Sequence, residues 1–85
     1  MELKEQFEAA IVNSKSLPEK PSNDVLLELY SLYKQSTEGD VNVEAPTNPF
    51  DFVAKAKYTA WEELKGKSKE MAMQDYVDLV TKLKG

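Results

Sequence analysis

The sequence predicts an all-α fold, a four-helix bundle within a single domain that spans residues 1–85. Three observations predict it. Apolar residues recur every three or four positions in four segments, which is the spacing of one helix face. Proline and glycine fall between these segments, where they end or interrupt helices. No segment shows the strict apolar–polar alternation that is typical of a half-buried strand.

The first predicted helix carries Leu3, Phe7, Ala10 and Ile11 on one face. It ends before Pro18, because residues that precede a proline avoid the helical region.

The second helix follows Pro21 and is capped by Ser22, Asn23 or Asp24. Gly39 lies just beyond its end. Its apolar stripe is made of Val25, Leu26, Leu29, Leu32 and Tyr33.

Pro46 and Pro49 exclude a regular element from the loop that follows Asp40. The third helix is predicted to start near Asp51 and to run to Lys65, before Gly66. Its ladder of apolar residues is Phe52, Ala56, Ala60 and Leu64.

The fourth helix is predicted to begin after Ser68, which caps it. Its broad apolar face consists of Met71, Ala72, Met73, Tyr76, Val77, Val80 and Leu83. Short connections favour antiparallel neighbours, whereas the long loop after residue 40 could carry the chain across the bundle. Periodicity alone does not decide between these arrangements.

The composition excludes several classes of function. The chain has no cysteine and no histidine, which removes disulfides, thiolate metal sites and the commonest general base. A formal net charge of −4 argues against non-specific binding to nucleic acid. No apolar run has the length of a signal peptide or a membrane span, so a soluble, cytoplasmic protein without stable membrane insertion is expected.

Two segments carry a matching set of aromatic and basic residues. Tyr30, Tyr33 and Lys34 are three to four residues apart, so they can project from one side of the second helix. Lys57 and Tyr58 repeat the pairing on the third helix. An ammonium flanked by phenolic hydroxyls offers a point charge and directional donors, which is suitable chemistry for binding a phosphate.

The full pattern is longer than this pairing. It reads Y-x-x-Y-K-Q-x-T-x-G-D-x-N from Tyr30 and D-F-x-x-K-A-K-Y-x-A-W-x-x-L-K-G-x-S-K-E-x-A from Asp51. It resembles the acyl-CoA-binding protein family from about Phe7 to about Leu83, nearly the whole chain. The resemblance implies an up-down-down-up bundle that is a cytoplasmic monomer. It would bind and transport long-chain fatty acyl-CoA esters reversibly, without catalysis, metal or cofactor.

The resemblance also implies roles for individual residues. Lys34 and Lys57 would bind the 3′-phosphate and adjacent phosphates of the ligand, and Tyr30 would donate its hydroxyl there, with Tyr33 beside the same site. Tyr58 stands where the family usually has tryptophan and would stack on adenine. Loop 44–50 also departs from the family pattern, with Ala45 at a common arginine position and one additional residue.

Other residues complete the expected ligand site. By resemblance, Tyr76 would line the groove for nucleotide and acyl chain, and Lys15 is included among the ligand-binding residues. An acyl chain between the first two helices would need an apolar groove, for which Phe7 and Ala10 are the candidates, with Ile11 and Leu26 less specific. Residues interpreted mainly as packing are Trp61, Phe7, Leu17, Leu26, Leu29, Leu64 and Val77.

The sequence is less consistent with three other functions. Taken singly, each lysine could be an ordinary solvated residue and each tyrosine a core-edge residue. Amphipathic helices with an acidic surface would suit a protein-interaction module, but such a module would not explain why tyrosine and lysine are grouped on the second helix and repeated on the third. An acyl carrier protein needs an Asp-Ser-Leu tripeptide for its phosphopantetheine, and the chain has none. An enzyme would need a tuned base or nucleophile, whereas Glu62 and Glu63 are adjacent helical carboxylates that point apart.

Overall fold

The computed structural model describes residues 2–85, which contain four α-helices. They are α1 (Leu3–Ser14), α2 (Asn23–Glu38), α3 (Phe52–Glu62) and α4 (Lys69–Lys84). The helices run up, down, down and up, which confirms the fold class expected from the sequence. No helix within residues 2–85 is long and apolar enough to cross a membrane.

Three helices begin where a short polar side chain can cap them. Ser22, Asp51 and Ser68 each accept a hydrogen bond from the backbone N–H three residues later. Each such cap typically stabilises a helix by about 1 kcal/mol. Ser22 is therefore the cap among the three candidates for α2, and the predicted cap at Ser68 is confirmed.

The end of α3 was predicted wrongly. The helix stops at Glu62 rather than Lys65, and residues 63–66 form turns. The N–H groups of Leu64 and Lys65 bond to carbonyls three residues back, which tightens the chain until Gly66 turns it away at φ +94°.

The helices pack in the spatial order α1, α4, α2 and α3, with contacts between successive members of that series. Near the middle of α2, Tyr30 meets Lys57 of α3, and beyond the end of α2 Gly39 meets Trp61. Because both contacts advance together along the two helices, α2 and α3 are parallel. The long connection through residues 39–51 makes this parallel return possible.

The main core lies where α4 packs between α1 and α2. Its buried members are Phe7, Ala10, Leu29, Leu32, Ala72, Tyr76 and Val80. Three residues from the predicted apolar faces lie outside it: Leu26, Phe52 and Met71 are 37%, 73% and 60% exposed. Among residues 2–85, α3 packs against α2 alone, so part of its apolar arc stays uncovered.

A buried amide fastens the end of α2 to the turn between α3 and α4. The fully buried Gln35 donates from Nε2 to Asp40 Oδ1 at 2.9 Å and to the Lys67 carbonyl at 2.7 Å. Asp40 Oδ1 also accepts from the backbone N–H of Gly66 at 2.9 Å. The Gly66 bond, followed by the Gln35 bond, lowers the pKa of the Asp40 carboxyl, so the charged form is favoured.

The single tryptophan makes a second contact between α3 and the residue that follows α2. Trp61 is buried, as predicted, and donates from Nε1 to the carbonyl of Gly39 at 2.8 Å. Gly39 has φ +82°, a conformation that residues with a Cβ rarely adopt. These bonds fix α3 against α2, and that alignment brings the two predicted lysine–tyrosine sets together.

Candidate functional site

Tyr30 and Lys57 face each other across the cleft between α2 and α3. The Lys57 Nζ atom lies 5.2 Å from the centroid of the Tyr30 ring, within the range of a cation–π contact. Lys57 is exposed and Tyr30 is half-buried. The ammonium is therefore held over an aromatic face while part of it remains open to a ligand from solvent.

Lys34 lies one turn after Tyr30 on α2. Its Nζ atom is 5.4 Å from the centroid of the Trp61 ring and donates to Oε2 of Glu38 at 2.5 Å. The hydrogen bond to Glu38 raises the pKa of Lys34, and the nearby phenols of Tyr30 and Tyr33 add to the rise. Lys34 is thus cationic at neutral pH, and the cleft carries two ammonium groups seated on aromatic rings.

A pocket of about 200 Å³ lies beneath the long loop, beside these two lysines. It brings together residues of α2, the loop and α3. Its lining is Tyr30, Val43, Glu44, Pro46, Ala54, Lys57, Tyr58 and Trp61. Aromatic planes next to an ammonium suit a flat ring that carries phosphate, because rings can stack while the cation binds the anion.

An apolar groove of about 370 Å³ lies between the N-terminal halves of α2 and α3. Its lining is Asn23, Leu26, Leu27, Tyr30, Phe52, Val53, Ala56 and Lys57. This groove accounts for the exposure of Phe52, a member of the apolar ladder of α3. It also accounts for the exposure of Leu26, which the sequence favours as packing or, less specifically, as part of an acyl groove. Its volume lies within the ordinary range for small-molecule sites, about 300–1,000 Å³.

Tyr30 and Lys57 belong to the walls of both the loop pocket and the apolar groove. The two cavities are therefore adjacent, with a cation and a phenol at their junction. One end offers aromatic planes and positive charge, and the other offers apolar surface. Such a site can hold an amphiphile with an anionic, aromatic head and a hydrocarbon tail.

Three further predicted residues form an aromatic cluster that joins α1, α2 and α4. The ring of Phe7 stacks on Tyr33 at 6.1 Å and meets Tyr76 edge-on at 5.1 Å between centroids. Phe7 and Tyr76 are each 4% exposed, whereas Tyr33 is 41% exposed. Tyr33 is thus the member of this cluster with substantial surface for a ligand.

The remaining predicted residues border the same cluster. The hydroxyl of Tyr76 donates to Oγ of Ser14 at 3.3 Å, and the exposed Lys15 follows Ser14 in the chain. Ala10 is buried in the core. Roles in binding for Phe7, Ala10, Lys15 and Tyr76 stay predictions, since the cleft between α2 and α3 is built from other residues.

The sequence pattern missed several residues of the cleft. Val53 and Leu27 line the groove, and Val43 and Pro46 line the loop pocket. A signal for the groove did exist: Phe52 and Val53 are adjacent, so they widen the apolar arc of α3 beyond the ladder that one neighbour would cover. The loop residues carry no comparable periodicity.

Comparisons with known proteins identify the family and the fold. The family model "Acyl CoA binding protein" matches residues 4–80. The acyl-CoA-binding protein of Gossypium hirsutum is 49% identical over 83 residues, covering 98% of this chain and 92% of that protein. The crystal structure of Oryza sativa acyl-CoA-binding protein 2 superposes with a TM-score of 0.90 at 43% identity, covering 96% of this chain and 90% of that one.

A multidomain relative matches over the same region. Enoyl-CoA delta isomerase 2 of Rattus norvegicus is 49% identical over 79 residues, which are 93% of this chain but 20% of that enzyme. The similarity therefore concerns a small part of the rat enzyme. Across nearly its whole length, in sequence and in helix arrangement, this chain belongs to the acyl-CoA-binding protein family.

Proposed function

We propose that this protein binds long-chain fatty acyl-CoA esters reversibly, with the nucleotide in the loop pocket and the acyl chain in the groove between α2 and α3. The main support is that the loop pocket and the apolar groove share a wall, which is formed by Tyr30 and Lys57. A ligand that uses both cavities must be anionic at one end and apolar at the other. A fatty acyl thioester of coenzyme A has that character.

At the polar end, Lys34 and Lys57 bind the phosphates and Tyr30 donates its hydroxyl to the same region. Both ammonium groups already lie on aromatic faces, which limits the freedom they lose when a ligand binds. A hydrogen bond to a charged group contributes about 1.5–3 kcal/mol. Tyr58, which lines the loop pocket, offers its ring to the adenine.

At the apolar end, the groove shields the acyl chain from water. Leu26, Phe52 and Val53 expose apolar surface that a hydrocarbon chain would cover. Each buried methylene contributes about 0.8 kcal/mol. Covering the chain while neutralising the phosphates keeps an amphiphile in solution, which is what a carrier and a cytoplasmic pool of acyl-CoA require.

The proposal includes no chemistry on the thioester. The chain has no histidine or cysteine, and the lysines and tyrosines of the cleft serve as donors to phosphate. The protein can act as a monomer that binds one ligand, because α2, α3 and the loop of a single chain supply the whole cleft.

A series of acyl-CoA esters of increasing chain length tests the use of the groove. Affinity is expected to rise about fourfold for each added CH₂, the equivalent of about 0.8 kcal/mol, until the groove is full and the affinity levels off. The measurement is a titration followed by the fluorescence of Trp61 below the micelle-forming concentration. An affinity that does not depend on chain length would contradict the assignment of the groove.

A further inference from the structure

The carboxylate of Glu38 is already paired with Lys34, one of the two lysines of the cleft. Lys34 Nζ donates to Glu38 Oε2 at 2.5 Å, and the two side chains are 30% and 38% exposed. This contact is the largest cause of the raised pKa of Lys34. An anionic ligand that reaches Lys34 would therefore meet an ammonium that already has an anionic partner.

Apart from its i,i+4 pair with Lys34, Glu38 does not favour the stability of α2. It is the last residue of α2, where a carboxylate lies beside the negative end of the helix dipole. The last turn contains no basic residue to offset that effect. A lysine that precedes a glutamate by four residues is also the weaker of the two possible orientations of such a pair.

Because Lys34 lies beside the loop pocket, its pairing with Glu38 affects how a ligand phosphate can bind there. The Lys34 ammonium lies over Trp61, and Trp61 lines the pocket that holds Lys57 and Tyr58. A phosphate at Lys34 must displace the carboxylate or share the ammonium with it, and the two anions repel each other. A phosphomonoester carries about −1.5 to −2 charges at neutral pH, so it competes well with a single carboxylate.

We propose that Glu38 is an internal competitor for the phosphate of the ligand, a residue that lowers affinity for the anionic head and eases its release. The inference rests on the proposed function, because it assumes that Lys34 meets a phosphate of acyl-CoA. Glu38 therefore influences both the strength and the selectivity of binding. A ligand with little negative charge gains too little free energy at Lys34 to displace the carboxylate, whereas a phosphomonoester can displace it.

Glu38→Gln tests this inference, because it keeps the shape of the side chain and removes the charge. The variant is expected to bind palmitoyl-CoA about two- to fivefold more tightly at low salt, the range of a partly exposed ion pair. The gain should shrink as salt screens the charges, since the Debye length is about 10 Å at 0.1 M. Calorimetric titration at two salt concentrations measures both effects.

Glu28→Gln is the matched control. Glu28 is on the same helix and its loss changes the net charge equally, but it lines the groove between α2 and α4, with Asp75 and Asp78. Its replacement should produce much less gain than that of Glu38. In a Lys34→Ala background, Glu38→Gln should lose its effect, which would not happen if Glu38 acted only through general charge or helix stability.

A ligand-free measurement tests the premise. Carbon-13 NMR of reductively methylated lysines should show that Glu38→Gln lowers the pKa of Lys34, whereas Glu28→Gln leaves it unchanged. Circular dichroism verifies folding, and Glu38→Ala serves as a second variant if Glu38→Gln does not fold.

The outcomes separate the inference from the function on which it rests. Tighter binding by Glu38→Gln that depends on Lys34 supports the competitor. Unchanged or weaker binding overturns it, and weaker binding would mean that Glu38 positions Lys34 for the ligand. If the natural protein binds no acyl-CoA at all, the proposed function itself fails.

Discussion

Replacing Lys57 by methionine is expected to weaken the binding of palmitoyl-CoA about ten- to a hundredfold. Methionine keeps the apolar stem that lines the groove but removes the ammonium above Tyr30. A lost charge-assisted hydrogen bond costs about 1.5–3 kcal/mol, which corresponds to that factor. Because the contact concerns the head of the ligand, free CoA should lose affinity by a similar factor in the same calorimetric titration.

Lys55→Met is the matched control for this prediction. Lys55 is on α3 two residues earlier, is exposed, and borders a shallow depression with Thr59 and Glu63. Its loss lowers the net charge equally and should change affinity little. Equal losses in the two variants would show that general charge, rather than the position of Lys57, governs binding.

Replacing Ala56 by tryptophan is expected to remove a large part of the contribution of the acyl chain to affinity. Ala56 is half-buried in the wall of the groove, and an indole there would occupy the space of several methylenes. Excluding four methylenes forfeits about 3 kcal/mol, or more than about a hundredfold in affinity. Titrations should then show a difference in affinity between palmitoyl-CoA and free CoA that is about a hundredfold smaller than in the natural protein, with the affinity for free CoA itself preserved.

Thr59→Trp controls for the added ring. Thr59 is an exposed residue of α3 that borders the shallow depression instead of the groove. Thermal unfolding of both variants checks that the bundle is intact. If Ala56→Trp binds palmitoyl-CoA as tightly as the natural protein, the acyl chain lies elsewhere.

The sequence predicted the helices because their signals are local. Capping residues such as Ser68 and the apolar stripe of α2 depend on spacings within one turn or two. The end of α3 was missed because its cause is distant. Gly66 turns the chain where its N–H can reach Asp40, 26 residues earlier, and no local pattern encodes that bond.

The lysine–tyrosine sets also combine a local signal, which the sequence shows, with a distant contact, which it does not. Spacing placed Tyr30 and Lys34 on one side of α2, but periodicity could not show that α3 returns parallel and brings Lys57 over Tyr30. The resemblance to a family provided that expectation. Likewise, an apolar ladder marks a face without showing whether a neighbour covers it, so the ladder that includes Phe52 could not show that this residue borders an open groove.

Calorimetric titration with palmitoyl-CoA, free CoA and free palmitate shows whether one ligand uses both the loop pocket and the groove. The adjacent pocket and groove predict tight one-to-one binding of the thioester, much weaker binding of CoA, and no measurable binding of palmitate, because the full affinity needs both ends of one ligand. No heat with any of the three, or palmitate binding as tightly as the thioester, would contradict the account.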